Sequence, residues 1–372
     1  MTEKQTVALL RLLRIKGIGS TNTRKLVDYF GSPEAVFSES LESLMEIPGF
    51  GLVTAQSILN EKFRKDAEDE WNGLIKGGIQ CISCWDPGYP ELLKQCEDAP
   101  VLLFKKGCVS LAGQRFVSIV GTRNMSEHGR RICEGLVEDL APYSPVIVSG
   151  LAYGIDICAQ LAAMRNGLLT VACLAHGLDS VYPKEHRRYI EDIEAQGALL
   201  SEFSLGTSPE PMHFVRRNRI IAGLSEATIV VESASEGGSL ITADLAFGYH
   251  REVFAIPGRS TDRFSAGCNA LIRDQKAHLM QSVSDLARVM DWSEEQIPGV
   301  KDGKLSVKYR EMGREERCIA ELLIKNKKAS SLDDIAIGCR YSVKQTARLL
   351  FQLEMKGLIR PLPGKRYRIG GK

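Results

Sequence analysis

The residues best suited to bind an anion stand in one short run, Phe214-Val-Arg216-Arg217-Asn218-Arg219. Guanidinium groups held this close repel one another unless an anion offsets their charge, and phosphate matches the planar donors of arginine. A base stacked on an aromatic ring beside an arginine-bound phosphate is the usual pattern of single-stranded nucleic acid binding, which gives Phe214 a role as well. The alternative is that Phe214 belongs to the core and that one or two arginines hold Asp or Glu partners. We expect such pairing for at least one of the three.

Another arginine stands where a dinucleotide-binding loop would need glycine. The segment Gly121-Thr-Arg123-Asn-Met-Ser126 follows a predicted strand but lacks the G-x-G-x-x-G spacing. Because its arginine occupies the space that a pyrophosphate needs, we expect no nicotinamide cofactor. At a helix N-terminus Arg123 would instead add donors to an anion site. A surface ion pair is the alternative interpretation.

Glycine and hydroxyl residues follow several other predicted strands. They are Ser149, Gly150, Gly154, Gly238, Ser239 and Thr242. Ligands of a parallel α/β sheet bind at the carboxyl ends of the strands, so these residues predict one glycine-lined surface. The run Glu236-Gly-Gly-Ser-Leu-Ile-Thr242 also partly resembles the phosphate loop of Rossmann-like phosphoribohydrolases, although their acidic residue after the threonine is matched only by Asp244, two positions on. A nucleotide-binding sensor or such an enzyme is therefore the alternative function.

Residues for covalent or metal chemistry are sparse. Ser149 does not lie in a G-x-S-x-G motif, and the six histidines have no fixed relation to a serine or cysteine, so we predict no catalytic residue. The ten cysteines are scattered, and we interpret them as reduced and mostly buried. Only Cys81-x-x-Cys84 has metal-ligand spacing, and no second close pair completes a zinc site. We expect neither a metal nor another cofactor.

Short apolar segments must position these groups. They lie at 116–120, 146–149, 170–174, 198–201, 227–231 and 252–255. Each is apolar on both faces and is followed by a segment of helix length, which predicts a parallel sheet covered on both sides. We assign 76–291 to this doubly wound, extended Rossmann-like α/β domain, with a turn-rich lead-in over 76–113.

Residues 1–75 predict a helical domain with an internal repeat. Each copy has a helix end, a Gly-x-Gly turn and a new helix, the turns being Gly17-Ile-Gly19 and Gly49-Phe-Gly51. This resembles a tandem helix-hairpin-helix (SAM-like) unit. The first N–H groups of the helix after each turn are unpaired and can bind a phosphate of any sequence. The alternative is an αα-hairpin that only packs the domain.

The C-terminal segment predicts a winged helix. After a polar linker at 292–304, residues 305–372 show helical segments and then a hairpin at 359–369. Basic residues lie on the predicted recognition helix, Lys344 and Arg348, and on the wing, Lys365 and Arg366. Residues 301–372 hold 18 basic and 8 acidic side chains, a net +10, whereas the whole chain has +2, so the first 300 residues carry about −8. The pattern predicts duplex DNA binding, with protein contacts as the alternative.

The composition is that of a globular protein. Hydrophobic residues make up 44% and charged residues 25% of the 372 residues, which excludes disordered and fibrous classes. No window has the 18 or more apolar residues of a membrane span, and the first twenty residues lack the apolar core of a signal peptide. We expect a cytoplasmic protein that does not contact the membrane.

Seven motifs together resemble the DNA-processing protein A family (DprA, also called Smf) over nearly the full chain. They are, in chain order, Asp86-x-x-Tyr89-Pro90-x-x-Leu93, Gly121-x-Arg123, Ser149-Gly150-Leu-Ala-Tyr-Gly154-Ile-Asp156, Gly177-Leu-Asp179-x-x-Tyr182-Pro183, Phe214-x-x-Arg217-Asn218-Arg219-Ile-Ile-Ala, Ser239-Leu-Ile-Thr242-Ala and Gly267-Cys-Asn269-Ala-Leu-Ile. The resemblance implies a non-enzymatic protein that binds single-stranded DNA, forms a homodimer and loads the RecA recombinase onto incoming DNA in natural transformation.

The resemblance also implies which residues contact DNA. They are Arg123, Phe214, Arg217 and Arg219, with Ser149, Gly150, Ser239 and Thr242 around them. This chain departs from the family pattern at three places. Gly237-Gly238-Ser239 replaces a common Ser-Gly-Ser, His128-Gly129 replaces Tyr-Gly, and no lysine precedes Phe214. The last difference puts more of the expected affinity on the arginines.

Overall fold

The structure, a computed structural model, describes residues 1–292, 315–316, 319–320, 322–323, 330–339, 341–355, 358–362 and 366–369. The chain divides into two compact units, residues 1–292 and residues 293–372. Apart from Trp292, the predicted linker at 292–304 lies outside the described residues. The boundary that we place near residue 75, inside the first unit, stays a prediction.

Five helices open the first unit. They are α1 (Glu3–Leu13), α2 (Ser20–Phe30), α3 (Leu41–Met45), α4 (Leu52–Leu59) and α5 (Lys62–Lys76). Their apolar faces meet in a core around the fully buried Leu9, Leu26 and Ile58. The predicted repeat is confirmed, because both turns hold a left-handed glycine, Gly17 with φ of 88° and Gly49 with φ of 96°.

A nine-stranded sheet follows. Its strands are β1 (Gln80–Ser83), β2 (Leu102–Gly107), β3 (Phe116–Val120), β4 (Val146–Ser149), β5 (Thr170–Cys173), β6 (Gly197–Ser201), β7 (Ala227–Val230), β8 (Glu252–Ala255) and β9 (His278–Leu279). The spatial order is β1-β2-β6-β5-β4-β3-β7-β8-β9, and the seven strands from β3 to β9 are parallel. The six predicted strands are confirmed with bounds that agree to within one residue.

Three strands were not predicted. The lead-in segment supplies β1 and β2, which pair antiparallel with each other and extend the sheet past β6. The turn-rich stretch between these strands hid them, because each is short and the turn residues dominate the local pattern. At the other edge, β9 has only two residues, too few for a periodic signal.

Helices cover both faces of the sheet. They are α6 (Glu91–Lys94), α7 (Glu127–Leu140), α8 (Ile155–Arg165), α9 (Ile190–Ala195), α10 (Pro211–Leu224), α11 (Gly238–Gly248), α12 (Ala266–Arg273) and α13 (Val283–Val289). In β3, Val117 and Ile119 pack with α7, α8 and α13, whereas Phe116 and Val120 pack with α10 and α11. The strand order reverses between β3 and β7. The carboxyl ends of these two strands are therefore the expected ligand-binding edge.

The described part of the second unit is a small α/β fold. It contains β10 (Ser330–Ser331), α14 (Leu332–Cys339), α15 (Val343–Met355), β11 (Ile359–Leu362) and β12 (Arg366–Ile369), with the sheet order β10-β12-β11. Ser342 caps α15, since its hydroxyl accepts a hydrogen bond from the Gln345 N–H at 3.2 Å. The predicted recognition helix and hairpin of the winged helix are confirmed, and β10 is an additional strand.

Candidate nucleic-acid interface

A cavity of about 580 Å³ opens at the carboxyl ends of β3 and β7. Seven predicted site residues line it: Arg123, Phe214, Arg217, Asn218, Gly238, Ser239 and Thr242. These residues come from three separate segments of the chain, which meet at the point where the strand order reverses, as the glycine pattern predicts. Ser149, Gly150, Gly154, Arg216 and Arg219 do not line the cavity.

The loop that carries Arg123 is anchored by Glu232, which follows β7. The Thr122 N–H donates to the Glu232 carbonyl at 2.7 Å. The hydroxyl and backbone N–H of Ser126 donate to the Glu232 carboxylate at 2.6 and 2.9 Å. Ser126 also caps α7 by accepting from the Gly129 N–H at 2.9 Å. The N-terminus of α7 thus already holds a carboxylate of this chain, so the anion site expected there is occupied by Glu232.

Arg123 itself points toward an aromatic ring. Its side chain is exposed, and its guanidinium carbon lies 5.1 Å from the centroid of the half-buried Phe214 ring. The Tyr182 ring meets the Phe214 ring edge to face at 5.5 Å. Arg123 forms no ion pair with any residue that the structure describes. An exposed cation beside an aromatic ring is the arrangement expected for a phosphate next to a stacked base.

Arg217 is buried beneath the cavity, with only 3% of its surface exposed. Its guanidinium donates to the Gly150 carbonyl at 2.7 Å and also to the Cys173 carbonyl. A Cβ on Gly150 would lie 2.5 Å from this guanidinium, so glycine is required for the close approach. Burial lowers the pKa of Arg217, an effect that Asp156 opposes. Arg217 therefore ties the ends of β4 and β5 together and supplies positive charge from below.

The remaining predicted residues of this edge support the site from behind. The buried Asp156 carboxylate accepts from the Gly150 N–H at 3.1 Å, and burial raises the pKa of Asp156. The Ser149 hydroxyl donates to the Ile119 carbonyl at 2.7 Å. Gly154 has φ of 76°, and a Cβ there would lie 2.1 Å from the Thr122 carbonyl oxygen. These contacts hold α8 against the loop that carries Arg123.

Arg216 and Arg219 share an acidic partner that follows β6. The Glu202 carboxylate lies 2.6 Å from the Arg216 guanidinium and 2.5 Å from that of Arg219. The side chains of Glu202 and Arg219 are 2% and 10% exposed, whereas that of Arg216 is 52% exposed. The expectation that at least one arginine of the run has an acidic partner is confirmed for two. Their charge is directed at Glu202 rather than at the cavity.

The N-terminus of α11 opens into the cavity without a cap. No side chain in the described part of the chain accepts its first N–H groups, and its first turn contains no acidic residue. The Asn218 amide donates to the Gly238 carbonyl at 3.3 Å, and the Ser239 hydroxyl donates to that of Ser233 at 2.9 Å. A Cβ on Gly238 would approach nothing closer than 3.9 Å. The helix dipole and unpaired N–H groups make this end suitable for phosphate.

Tyr182 and Glu236 are exposed polar residues of the cavity that were not among the predicted site residues. Tyr182 is 41% exposed and lines the cavity beside Phe214. Its signal in the sequence was the Tyr182-Pro183 pair after the third predicted strand. Glu236 is also exposed and lines the cavity just before the α11 N-terminus, which places one carboxylate near the expected phosphate.

The predicted secondary sites are separate from this cavity. Gly19 and Gly51 stand at the N-caps of α2 and α4, which have no side-chain cap, and all four turn glycines, including Gly17 and Gly49, have open space around them. In the second unit, Lys344 and Arg366 are exposed. The Arg348 guanidinium lies 3.7 Å from the Glu315 carboxylate. Lys365 lies outside the described residues.

The described residues show neither a metal-binding cluster nor a membrane-spanning helix. Within the described ranges, no three His, Cys, Asp or Glu side chains form a group that could hold a metal ion. Cys81 lies in β1 and Cys84 just after it, and burial raises the pKa of Cys81 to about 12. No helix in the described part of the chain is long and apolar enough to cross a membrane.

Three family models match successive parts of the sequence. The model described as DNA recombination-mediator protein A matches residues 80–291, a SAM-like helix-hairpin-helix tandem matches residues 9–62, and a DprA winged helix domain matches residues 311–365. The first match contains the whole cavity. The other two agree with the N-terminal helical repeat and the C-terminal winged helix.

Individual relatives agree with these matches. The chain is 33% identical to Protein Smf of Escherichia coli (strain K12), over 95% of this chain and 93% of that protein. The X-ray structure of DNA processing protein A from Streptococcus pneumoniae is similar with a TM-score of 0.68 and 35% identity, covering 76% of this chain and 97% of that chain. The DNA processing protein A structure from Helicobacter pylori, described for its single-stranded DNA binding mode, has a TM-score of 0.52 and 27% identity, covering 58% and 97%.

Proposed function

The chain belongs to the DNA recombination-mediator protein A family, and on that premise we propose that it is a non-enzymatic mediator that binds single-stranded DNA in the cavity between β3 and β7. In this proposal the protein protects incoming DNA and loads RecA recombinase onto it, as in natural transformation. The protein acts as a homodimer, and the winged helix adds a contact to duplex DNA through its basic residues. Family membership supports the RecA and dimer roles, whereas the cavity supports DNA binding through its own geometry.

The observation that carries the proposal is the uncapped N-terminus of α11 facing the Arg123 and Phe214 pair across one cavity. A backbone phosphate bound at Gly238 and Ser239 would receive N–H donors and the helix dipole. A neighbouring base would stack on Phe214, and Arg123 would hold the next phosphate. Because none of these groups reads a base edge, the binding would not depend on sequence.

The charge distribution explains why DNA binding in this cavity requires individual cationic side chains directed at the phosphates. The first 300 residues carry about −8, so the net field of this part of the chain repels DNA. Binding then depends on local cations that have no internal partner. Among the described residues Arg123 is such a cation, whereas Arg216 and Arg219 share the Glu202 carboxylate.

The test is the exposed Arg123→Ala variant, compared with Arg288→Ala as a matched control on α13. The Arg288 side chain is 78% exposed and pairs with Asp285 at 3.4 Å. Fluorescence anisotropy with a labelled oligodeoxythymidine should show about a tenfold weaker affinity for Arg123→Ala and a smaller slope of log affinity against log salt, by roughly 0.7 for one lost phosphate contact. Arg288→Ala should bind like the unmodified protein. Equal affinities for the two variants would reject the cavity as the binding site.

A nucleotide sensor or phosphoribohydrolase-like enzyme is the second candidate, and the position of Glu236 in the cavity favours it. A carboxylate beside a phosphate-binding helix end could act on the sugar of a bound nucleotide. Incubation with nucleoside monophosphates, followed by chromatography for released base, separates the two functions. Base release that is lost in Glu236→Gln would support the enzyme, and its absence together with oligonucleotide binding supports the mediator.

A further inference from the structure

Two cysteines that are 25 positions apart in the sequence meet between α7 and α8. The Cys133 sulfur lies 4.0 Å from the Ile155 carbonyl oxygen on α8, and the Cys158 sulfur lies 3.9 Å from the Arg130 carbonyl oxygen on α7. The two thiols are near enough that each shifts the pKa of the other, upward for Cys133 and downward for Cys158. Each thiol therefore reaches the backbone of the opposite helix, and together they form a dithiol.

Small residues permit this close approach. Ala159 and Ala162 on α8 are buried in the same core cluster as Cys133 on α7. Two helices whose facing residues are small pack with their backbones near each other, as cross-helix sulfur contacts require. A disulfide also needs closely spaced backbones, so this packing suits one.

The dithiol is reachable from one side. Cys158 lines a surface cleft of about 620 Å³ together with Arg130 and Arg165, whereas Cys133 is fully buried behind it. Interaction with the Cys133 thiol lowers the pKa of Cys158, and the two arginines act in the same direction. Cys158 is thus suited to be the attacking thiolate and Cys133 the resolving thiol. Cys81 differs, because burial raises its pKa to about 12.

We propose that Cys133 and Cys158 are a redox modification site, which a low-molecular-weight disulfide converts to an intramolecular disulfide. The Cys158 thiolate attacks one sulfur of the small disulfide, forms a mixed disulfide and releases one small thiolate. The Cys133 thiol then loses its proton and attacks the Cys158 sulfur, which releases the second small thiolate. The protein loses two hydrogens as protons and two electrons, and the small disulfide becomes two thiols.

The site is connected to the loop of Arg123. An S–S bond is about 2 Å long, so oxidation brings the two sulfurs closer and pulls on the α7 and α8 segments that carry them. The Ile155 N–H at the start of α8 donates to the Thr122 carbonyl at 3.2 Å, and Gly154 packs against the carbonyls of Thr122 and Arg123. Movement of α8 therefore displaces Arg123 relative to Phe214 on α10. This consequence rests on the proposed DNA binding.

Peptide mapping tests the dithiol directly. Trypsin leaves Cys133 and Cys158 on a single peptide, 132–165, because no Lys or Arg lies between Ile132 and Arg165, and no other cysteine is in this peptide. The folded full chain is treated with oxidised glutathione, denatured, alkylated and digested. We expect peptide 132–165 from the oxidised sample to carry no alkyl group and to weigh two hydrogens less than the unalkylated dithiol peptide. The fully buried Cys173 should still be alkylated after denaturation. A peptide that keeps both alkyl groups, or that carries only glutathione, would overturn the proposal.

DNA binding of the same samples tests the coupling. Oxidised protein should bind labelled oligodeoxythymidine at least threefold more weakly than reduced protein, and dithiothreitol should restore the affinity. The Cys158→Ala variant should bind equally under both conditions. A disulfide in peptide 132–165 with unchanged affinity would overturn the coupling. Failure of the reduced protein to bind DNA would instead reject the proposed function, and the mapping result would still decide the dithiol.

Discussion

Replacement of Glu202 by glutamine should destabilise the first unit strongly. Glu202→Gln keeps the size of the side chain but removes the charge that Arg216 and Arg219 share. Arg219 is 10% exposed and would be left as a buried cation without a counterion. Loss of one partner from a buried pair costs about 3–5 kcal/mol, and we expect about 3 kcal/mol because the amide oxygen still accepts a hydrogen bond.

The matched comparison is Arg216→Ala, which removes the outer arginine of the same pair. The Arg216 side chain is 52% exposed, so its contact with Glu202 is screened by water and is worth about 1 kcal/mol or less. The structure thus predicts that Glu202→Gln lowers the free energy of unfolding at least about three times as much as Arg216→Ala does. Arg219 keeps its carboxylate in the Arg216→Ala variant.

Urea unfolding followed by tryptophan fluorescence measures this difference. All three tryptophans, Trp71, Trp85 and Trp292, lie in the first unit together with Glu202, so the signal reports on that unit. A loss below about 1 kcal/mol for Glu202→Gln, or an equal loss for Arg216→Ala, would refute the buried-pair interpretation. Oligonucleotide affinity should not change in folded Glu202→Gln. A large gain would show that Arg216 and Arg219 are DNA contacts that Glu202 restrains.

Two further predictions concern stability. Gly135→Ala should stabilise the protein by about 0.5–1 kcal/mol, because a Cβ there meets nothing within 4 Å and alanine favours the helix. On the same helix, Gly129→Ala should destabilise it by about 1–3 kcal/mol, because its Cβ would lie 2.4 Å from the Glu232 carboxylate. Urea unfolding compares the two, and equal effects would contradict the packing. Burial lowers the pKa of His176 below its ordinary value of 6.5. Below pH 6.5 the unfolded state therefore binds more protons than the folded state. The free energy of unfolding then falls as the pH is lowered toward the folded pKa, by at most about 1.4 kcal/mol per pH unit. The unfolding free energy of His176→Asn should therefore change less between about pH 7.5 and 5.5 than that of the unmodified protein, and an unchanged pH dependence would contradict this assignment.

Much of the fold was predictable because its signals are local. Six strands were recognised since each is a short apolar run followed by a helix-length segment, and the Gly-x-Gly turns marked the helical repeat. The strands β1 and β2 were not predicted, because an antiparallel pair at a sheet edge can be only a few residues long. Turn residues lie between these two strands and dominate the local sequence pattern. The glycine and hydroxyl residues that follow the strands were assigned to the carboxyl edge of the sheet, where they lie. Which of them line the cavity was not predictable from the sequence.

The arginine run shows where local reasoning ends. The sequence by itself determined that Arg216 and Arg219 share a helix face, since they are three positions apart, and that Arg217 projects elsewhere. It did not determine what stands opposite each face. Tertiary structure decided that Arg216 and Arg219 form ion pairs with Glu202 and that Arg217 donates hydrogen bonds to carbonyls at the strand ends.

The same division applies to the helix ends and the thiols. Residue types and spacing determined which positions start a helix and which segments form strands, because these depend on interactions within a few residues. Only the tertiary structure decided that Glu232 fills the N-terminus of α7 and that α11 stays open. It also decided that Cys158 meets Cys133 rather than Cys173, which is nearer to it in sequence. The physical reason is that these contacts join segments that are far apart in the sequence. Their distance in space is set by strand order and helix packing, which no local sequence pattern encodes.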